Sequence, residues 1–278
     1  MIKETQNFLI DLENKISKSD DVLPRLRTLT LDDFGELLLT IPNPQLPKIS
    51  ALLPRATPDD VQNKWTGSSG ITLLRQSVSF INFVVSNYIE MTGRPFSQAN
   101  ILDFGCGWGR LLRLMLYYID HKQIHGCDAW DTSLKHITEA QVPGTIRKSE
   151  VIPKDLPFPE VNFDLIYAFS IFTHLAEHVA DGALDAFRRN IKQNGIIIIT
   201  IRPVEFWDYY EKTKGIDCSH LIKEHERRGF AYLPGTKEYG DCTMSIDYLR
   251  DKFPNWNVIK FGRPLTDPYQ LYVCLRPA

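Results

Sequence analysis

Three glycines at alternate positions, Gly105, Gly107 and Gly109, follow the apolar run Ile101-Leu102-Asp103-Phe104 and lead into Arg110-Leu111-Leu112. The apolar run reads as a buried strand and the segment from Arg110 as a helix, so the glycines occupy the turn between them. Glycine lets a backbone bend sharply and lie against a ligand with no side chain between, and the first amides of the helix face the same place. Two carboxylates belong to this turn. Asp103 precedes the first glycine by two, and Asp128 ends a second strand-like run, Ile124-His125-Gly126-Cys127-Asp128, 23 residues after Gly105. A carboxylate in that position can accept two hydrogen bonds from ribose hydroxyls. His174, beyond a further apolar run, carries an imidazole suited to taking a proton from a hydroxyl. The spacing G-x-G-x-G differs from the dinucleotide fingerprint G-x-G-x-x-G, because Arg110 stands where the third glycine would fall, and this disfavours an NAD-dependent reductase.

These residues need a sheet to bring them together, and the order of segments supplies one. After Asp128 come Asp155-Leu156-Pro157-Phe158-Pro159 and then Phe163-Asp164-Leu165-Ile166-Tyr167-Ala168-Phe169-Ser170, a fourth strand. A helix ending at Lys192-Gln193-Asn194-Gly195 is expected next, then a β-branched fifth strand from Ile196 to Ile201. Over residues 100–203 this succession resembles the class I S-adenosylmethionine-dependent methyltransferases. The resemblance implies an α/β fold, Rossmann-like and doubly wound, whose mostly parallel seven-stranded sheet has an antiparallel last strand. It implies S-adenosylmethionine as cofactor and S-adenosylhomocysteine as product. The cofactor-binding residues it implies are Asp103, Gly105, Cys106, Gly107, Trp108 and Gly109 at the first strand, with Asp128 and Ala129 at the second. Ser149 and Glu150 fall after the third strand, and Phe169 and Ser170 at the fourth. Trp65, with the loop Gly67–Gly70, resembles the arm that closes over the methionine end of the cofactor in related enzymes.

Outside the core, Phe8, Leu9, Leu12 and Ile16 recur at helical spacing within residues 1–17. Five prolines over residues 41–58 predict an extended surface arm. A helix is predicted over 71–91 with a buried face of Leu73, Leu74, Val78, Ile81, Val84, Val85 and Ile89. Residues 1–95 thus read as an N-terminal helical arm or lid, and 96–278 as the core. Residues 202–250 form a helical insertion after strand 5, with a helix at His220–Arg228, turn formers from Leu233 to Gly240 and a cap at Ser245. Strands at 257–261 and 271–275 close the sheet.

The formal net charge of −2 gives no electrostatic footprint for nucleic acid. No apolar run approaches the ~20 residues needed to span a membrane. The first residues lack the charged and apolar regions of a signal peptide, and five cysteines without a C-x-x-C pair favour a reducing cytoplasm. His174-Leu175-Ala176-Glu177-His178 spells a zinc-peptidase signature, but it follows a strand inside a different pattern. Cys218, His220, His225 and Cys242 match no zinc-finger spacing, so no metal is expected. Arg110 and Arg113 are candidates for contact with a cofactor carboxylate or an anionic acceptor, and Arg202, Tyr209, Tyr239 and Asp241 for the lining of the acceptor pocket. The sequence therefore predicts a cytoplasmic methyltransferase, monomer or homodimer, that methylates oxygen on a small-molecule or glycan acceptor, with His174 either as base or as a residue that caps and packs the following helix. Alternatives are transfer to nitrogen, carbon or a protein, or a subunit that binds the cofactor without turnover.

Overall fold

In a computed structural model that describes residues 1–17 and 21–278, the apolar runs become strands whose two faces are both covered. The strands are β1 (Ile101–Phe104), β2 (Ile124–Asp128), β3 (Thr145–Lys148), β4 (Phe163–Ala168), β5 (Ile191–Ile201), β6 (Phe230–Pro234), β7 (Gly240–Met244), β8 (Trp256–Gly262) and β9 (Leu271–Pro277). Seven of them make one sheet in the order β3-β2-β1-β4-β5-β9-β8, and β6 pairs separately with β7. The pairings among β1 to β5 are parallel, and β9 lies antiparallel between β5 and β8. Side chains alternate between the faces of a strand. Accordingly Leu165, Tyr167, Ile196 and Ile198 join one core, and Leu102, Ile166, Ile197 and Ile199 the other. This two-sided burial is why β4 and β5 are continuous apolar runs in the sequence.

The N-terminal segment supplies α1 (Lys3–Lys15), α2 (Leu23–Leu26), α3 (Leu31–Thr40), α4 (Pro47–Leu52), α5 (Asp59–Thr66) and α6 (Gly70–Thr92). The extended arm expected over 41–58 is not found. Pro47 opens α4, where a missing N–H costs nothing, and Ile49 is fully buried. The Glu13 carboxylate of α1 accepts from the Lys48 and Ile49 amides at 2.9 and 3.0 Å, which caps α4 from a neighbouring helix. On α6 the expected face is buried except for Ile89, which is 46% exposed. Phe80, at the centre of α6, meets Phe169 at 4.6 Å and Tyr272 at 5.1 Å between ring centroids.

In the core, α7 (Arg110–Met115), α8 (Asp131–Glu139) and α9 (Glu177–Asn190) follow β1, β2 and β4. The helix expected to reach Gly195 ends at Asn190. Ile191 is buried and pairs with Phe163, and the register then shifts so that Leu165 pairs with Ile196. Lys192–Gly195 therefore form an irregular stretch within β5, held in part by Lys192 Nζ on Asp164 at 2.9 Å.

The insertion is not wholly helical. It holds α10 (Glu205–Lys214), α11 (Ser219–Arg228), the β6–β7 hairpin and α12 (Ile246–Lys252). The run from Leu233 to Gly240, read from sequence as a loop, is the hairpin's end. A Cβ on Gly240 would lie 2.1 Å from the Leu233 carbonyl oxygen, so the turn closes only with glycine there. The hairpin is seated on the segment after β4: Ala176 N donates to Glu238 O at 3.1 Å, Gly240 N to His174 O at 2.9 Å and Cys242 N to Thr173 O at 3.0 Å.

Candidate active site

The glycine turn has the conformation its composition predicts. Gly105, Gly107 and Gly109 have φ of 73°, 56° and 80°, in the left-handed region that side chains resist. A Cβ on Gly105 would meet Ile171 Cδ1 at 2.2 Å, and one on Gly109 would meet Ile137 and Val142 at 2.9 Å. On Gly107 only the Trp65 ring lies within 4 Å, at 3.7 Å, so this glycine opens onto space. The turn is tied to β2 by the Gly105 and Cys106 amides, which donate to Cys127 O at 2.8 and 3.0 Å.

Asp128 reaches across from β2. Its Oδ2 accepts from Gly107 N and its Oδ1 from Trp130 N, both at 2.9 Å. Burial pushes its carboxyl up, while these two amides oppose the shift. Ser133 and the Ala129 amide oppose it as well, and the carboxylate lines a cavity. Asp103 is more deeply placed. Burial pushes it up to about 8, the Arg110 guanidinium opposes, and Asp128 adds to the rise. Arg110 is in turn lowered to about 10 by burial, with Asp103 opposing.

A cavity of about 810 Å³ lies over the carboxyl ends of β1, β2, β4 and β5. It brings together Trp65, Asp103, Gly105, Cys106, Gly107, Trp108, Asp128, Phe169, Ser170 and His174 from the sequence prediction. Gly109 stands behind the wall as the residue before α7. A second cavity of about 90 Å³ takes Ala129, Ser149 and Glu150, with Ser149 N donating to Asp128 O at 3.0 Å. Gly105, Asp128, Trp130, Ile171 and Tyr239 line both.

His174 faces the larger cavity with its hydrogen bonds defined. Nδ1 lies 2.7 Å from Gly240 O and 3.3 Å from Asp241 Oδ1, so Nδ1 carries the proton. The lone pair on Nε2 accepts from Arg202 Nη2 at 3.2 Å. Arg202 is held by Asp241 at 2.5 Å and by Thr173 O at 3.0 Å, and its guanidinium lies 4.0 Å over the Phe206 ring. Burial pushes the Asp241 carboxyl up, but His174 and Arg202 outweigh it and hold it below its usual range. Asp241 thus supports the wall without lining it, whereas Arg202, Tyr209 and Tyr239 do line it. Arg113 points away: it is buried and donates to Leu38 O at 2.7 Å.

The partners of the candidate Arg110 were not predicted from the sequence. Arg110 Nη1 donates to Gln76 Oε1 at 2.8 Å, and Gln76 Nε2 and Gln270 Nε2 donate to Asp267 Oδ2 at 3.0 and 2.9 Å. Gln76 and Asp267 lie 191 positions apart, and nothing local marks either. Among the described residues no cluster of three or more His, Cys, Asp or Glu could hold a metal. Glu177 of the H-x-x-E-H string instead accepts from Tyr248 at 2.6 Å and Arg228 at 2.9 Å. His225 and Trp207 share the Thr243 hydroxyl, each at 2.8 Å.

Residues 101–195 match the family model described as a methyltransferase domain. The fold is similar to that of magnesium protoporphyrin IX methyltransferase from Synechocystis PCC 6803 with bound S-adenosylhomocysteine. The TM-score is 0.52 at 15% identity, covering 79% of this chain and 94% of that one. A structure of the same enzyme with bound S-adenosylmethionine gives 0.51 at 13% identity, covering 79% and 90%. Residues 101–195 thus match a methyltransferase domain, and the sheet that contains them has a fold similar to that enzyme's.

Proposed function

We propose that this enzyme methylates a hydroxyl of a sugar-like or other small hydroxylated acceptor, with His174 taking the proton. The observation that carries the proposal is the orientation of that imidazole. Gly240 O and Asp241 fix the proton on Nδ1 and leave Nε2 as a lone pair at the wall of the large cavity. An acceptor hydroxyl reaching Nε2 takes the place of the Arg202 N–H, and Arg202 stays anchored by Asp241 and Thr173.

The residues present fit the cofactor. Gly107 leaves room that a Cβ would take, and the Asp128 carboxylate lines both cavities, where it can accept from ribose hydroxyls. Ala129, Ser149 and Glu150 suit the adenine end. Asp103, Trp65, Trp108, Phe169 and Ser170, with the glycine turn, suit the methionine end. When bound, S-adenosylmethionine supplies a methyl group on a sulfonium, which an in-line nucleophile displaces. The chain's own work is alignment of that nucleophile, exclusion of water and acceptance of its proton. The 1–95 segment, through Trp65 and Gln76, and the 202–250 insertion, through Phe206, Tyr209 and Tyr239, form the lid. No described helix is long and apolar enough to cross a membrane. Five buried free thiols suit a reducing cytoplasm, where the enzyme acts on the acceptor as monomer or homodimer without nucleic acid.

The test uses methyl-¹³C-labelled cofactor and a panel of hydroxylated and amine acceptors. The expected product is a methyl ether by NMR, and His174→Ala lowers kcat by about 10²–10⁴-fold. A methylated amine as the only product would overturn the oxygen assignment. A second reading follows from the Arg202 contact to Nε2: His174 is a fixed post for Arg202, and the nucleophile, a neutral amine, needs no base. His174→Gln with unchanged kcat would favour it.

A further inference from the structure

Tyr239 stands where the two cavities meet, and it comes from the insertion rather than the core sheet. Its ring stacks on His174 at 5.0 Å with 11° between planes. Trp130 meets the same ring at 5.0 Å and 64°. Trp130 follows Asp128 by two, and its amide is one of the two that Asp128 binds. Tyr239 is thus joined on one side to the ribose-acid strand and on the other to the acceptor wall. Its side chain also lies near enough to Arg202, Asp241 and Asp128 to feel all three charges. The backbone beneath it is fixed independently of the ring. Leu175 and Tyr239 form a β-bridge, and the amides of Ala176 and Gly240 bind across the same seam.

A cofactor that occupies both cavities must pass the residues that line both, and of these only Tyr239 belongs to the insertion. We infer that Tyr239 is a cofactor-contacting residue supplied by the inserted hairpin: its ring, set against Trp130, holds the ribosyl part of the cofactor against Asp128. The insertion is then a wall of the cofactor site as well as of the acceptor site. Because the same ring stacks on His174, filling the cofactor site also steadies the imidazole. This inference rests on the methyltransferase reading of the cleft.

The experiment is calorimetric titration of S-adenosylhomocysteine into the full chain and into Tyr239→Ala, Tyr239→Phe and Trp130→Ala, with thermal unfolding of each variant alongside. Truncation of the ring is expected to weaken binding about tenfold, or about 1.4 kcal/mol, with the fold kept by the backbone seam. Tyr239→Phe keeps the ring and is expected to restore binding, and Trp130→Ala to weaken it. Trp130 is 46% exposed, so its fluorescence is expected to respond to the titration, and the response is expected to shrink in Trp130→Phe to what Trp65 and Trp108 contribute. Wild-type affinity in folded Tyr239→Ala would overturn the inference while leaving the enzyme class intact. Equal loss in the Ala and Phe variants would overturn the ring contact. Failure of the wild-type protein to bind would instead refute the reading of the cleft.

Discussion

Asp103, next to last in β1, and Asp128, last in the neighbouring β2, have surroundings that treat charge differently. Asp128 has two backbone amides to stabilise a carboxylate, whereas Asp103 is buried with its carboxyl pushed up to about 8 from an ordinary value of 3.8. A carboxyl with a raised native pKa contributes stability that is fully present below the unfolded value and lost as pH rises through the native one. Unfolding temperature, measured from pH 4 to pH 9 for wild type and Asp103→Asn, is therefore expected to fall for wild type relative to the variant mainly between about pH 4 and 8. Parallel curves would contradict this. Both acids were legible in sequence because each sits at a fixed offset from a strand end and a glycine turn. Gln76 and Asp267 were not, since what makes them neighbours is the packing of α6 against the end of the sheet.

At the scale of elements, the glycine turn separates two kinds of constraint. Gly105→Ala must force both a positive φ and a 2.2 Å contact with Ile171, whereas Gly107→Ala meets the positive φ but only open space and the Trp65 ring. Placing alanine in the left-handed region costs about 1–2 kcal/mol. Gly107→Ala is therefore expected to lower the unfolding temperature modestly and to weaken S-adenosylhomocysteine binding more than its stability loss suggests. Gly105→Ala is expected to lose stability first, and the reverse order of unfolding temperatures would refute the assignment. The turn was readable because glycine spacing records backbone shape. The β6–β7 hairpin was not, because turn formers dominate its local composition and its seat, residues 173–176, lies far away in sequence. Within that insertion the Thr243 hydroxyl serves both Trp207 and His225. Thr243→Val would leave the buried Trp207 indole N–H unpartnered and remove one contact of His225, at about 1–3 kcal/mol. Thermal or denaturant unfolding of that variant checks this, and a change under about 0.5 kcal/mol would contradict it.

Across the whole molecule, α6 ties the N-terminal segment to the catalytic sheet. Phe80 lies fully buried against rings from β9 and from the segment after β4, and Gln76, one turn earlier, reaches Arg110 and Asp267 at the cavity. Phe80→Ala is expected to cost about 3–5 kcal/mol, seen as a drop in unfolding midpoint, and to loosen the cleft with it. The sheet order was legible because doubly buried strands are continuous apolar runs in parallel order. The N-terminal packing was less so, because α4 is capped by a carboxylate from α1 and opened by a proline that local composition marks as a breaker. The central claim is that one cleft, gripped by Asp128 and the glycine turn, binds the cofactor across both cavities. Its most direct test is calorimetric binding of S-adenosylmethionine and S-adenosylhomocysteine to wild type and Asp128→Ala, with NAD(H) as competitor. Binding of both by wild type, a loss of more than about tenfold in the variant (~1.4 kcal/mol) and no competition by NAD(H) are the predicted results. Equal affinity in a folded Asp128→Ala, or no binding by the folded wild-type protein, would contradict the account.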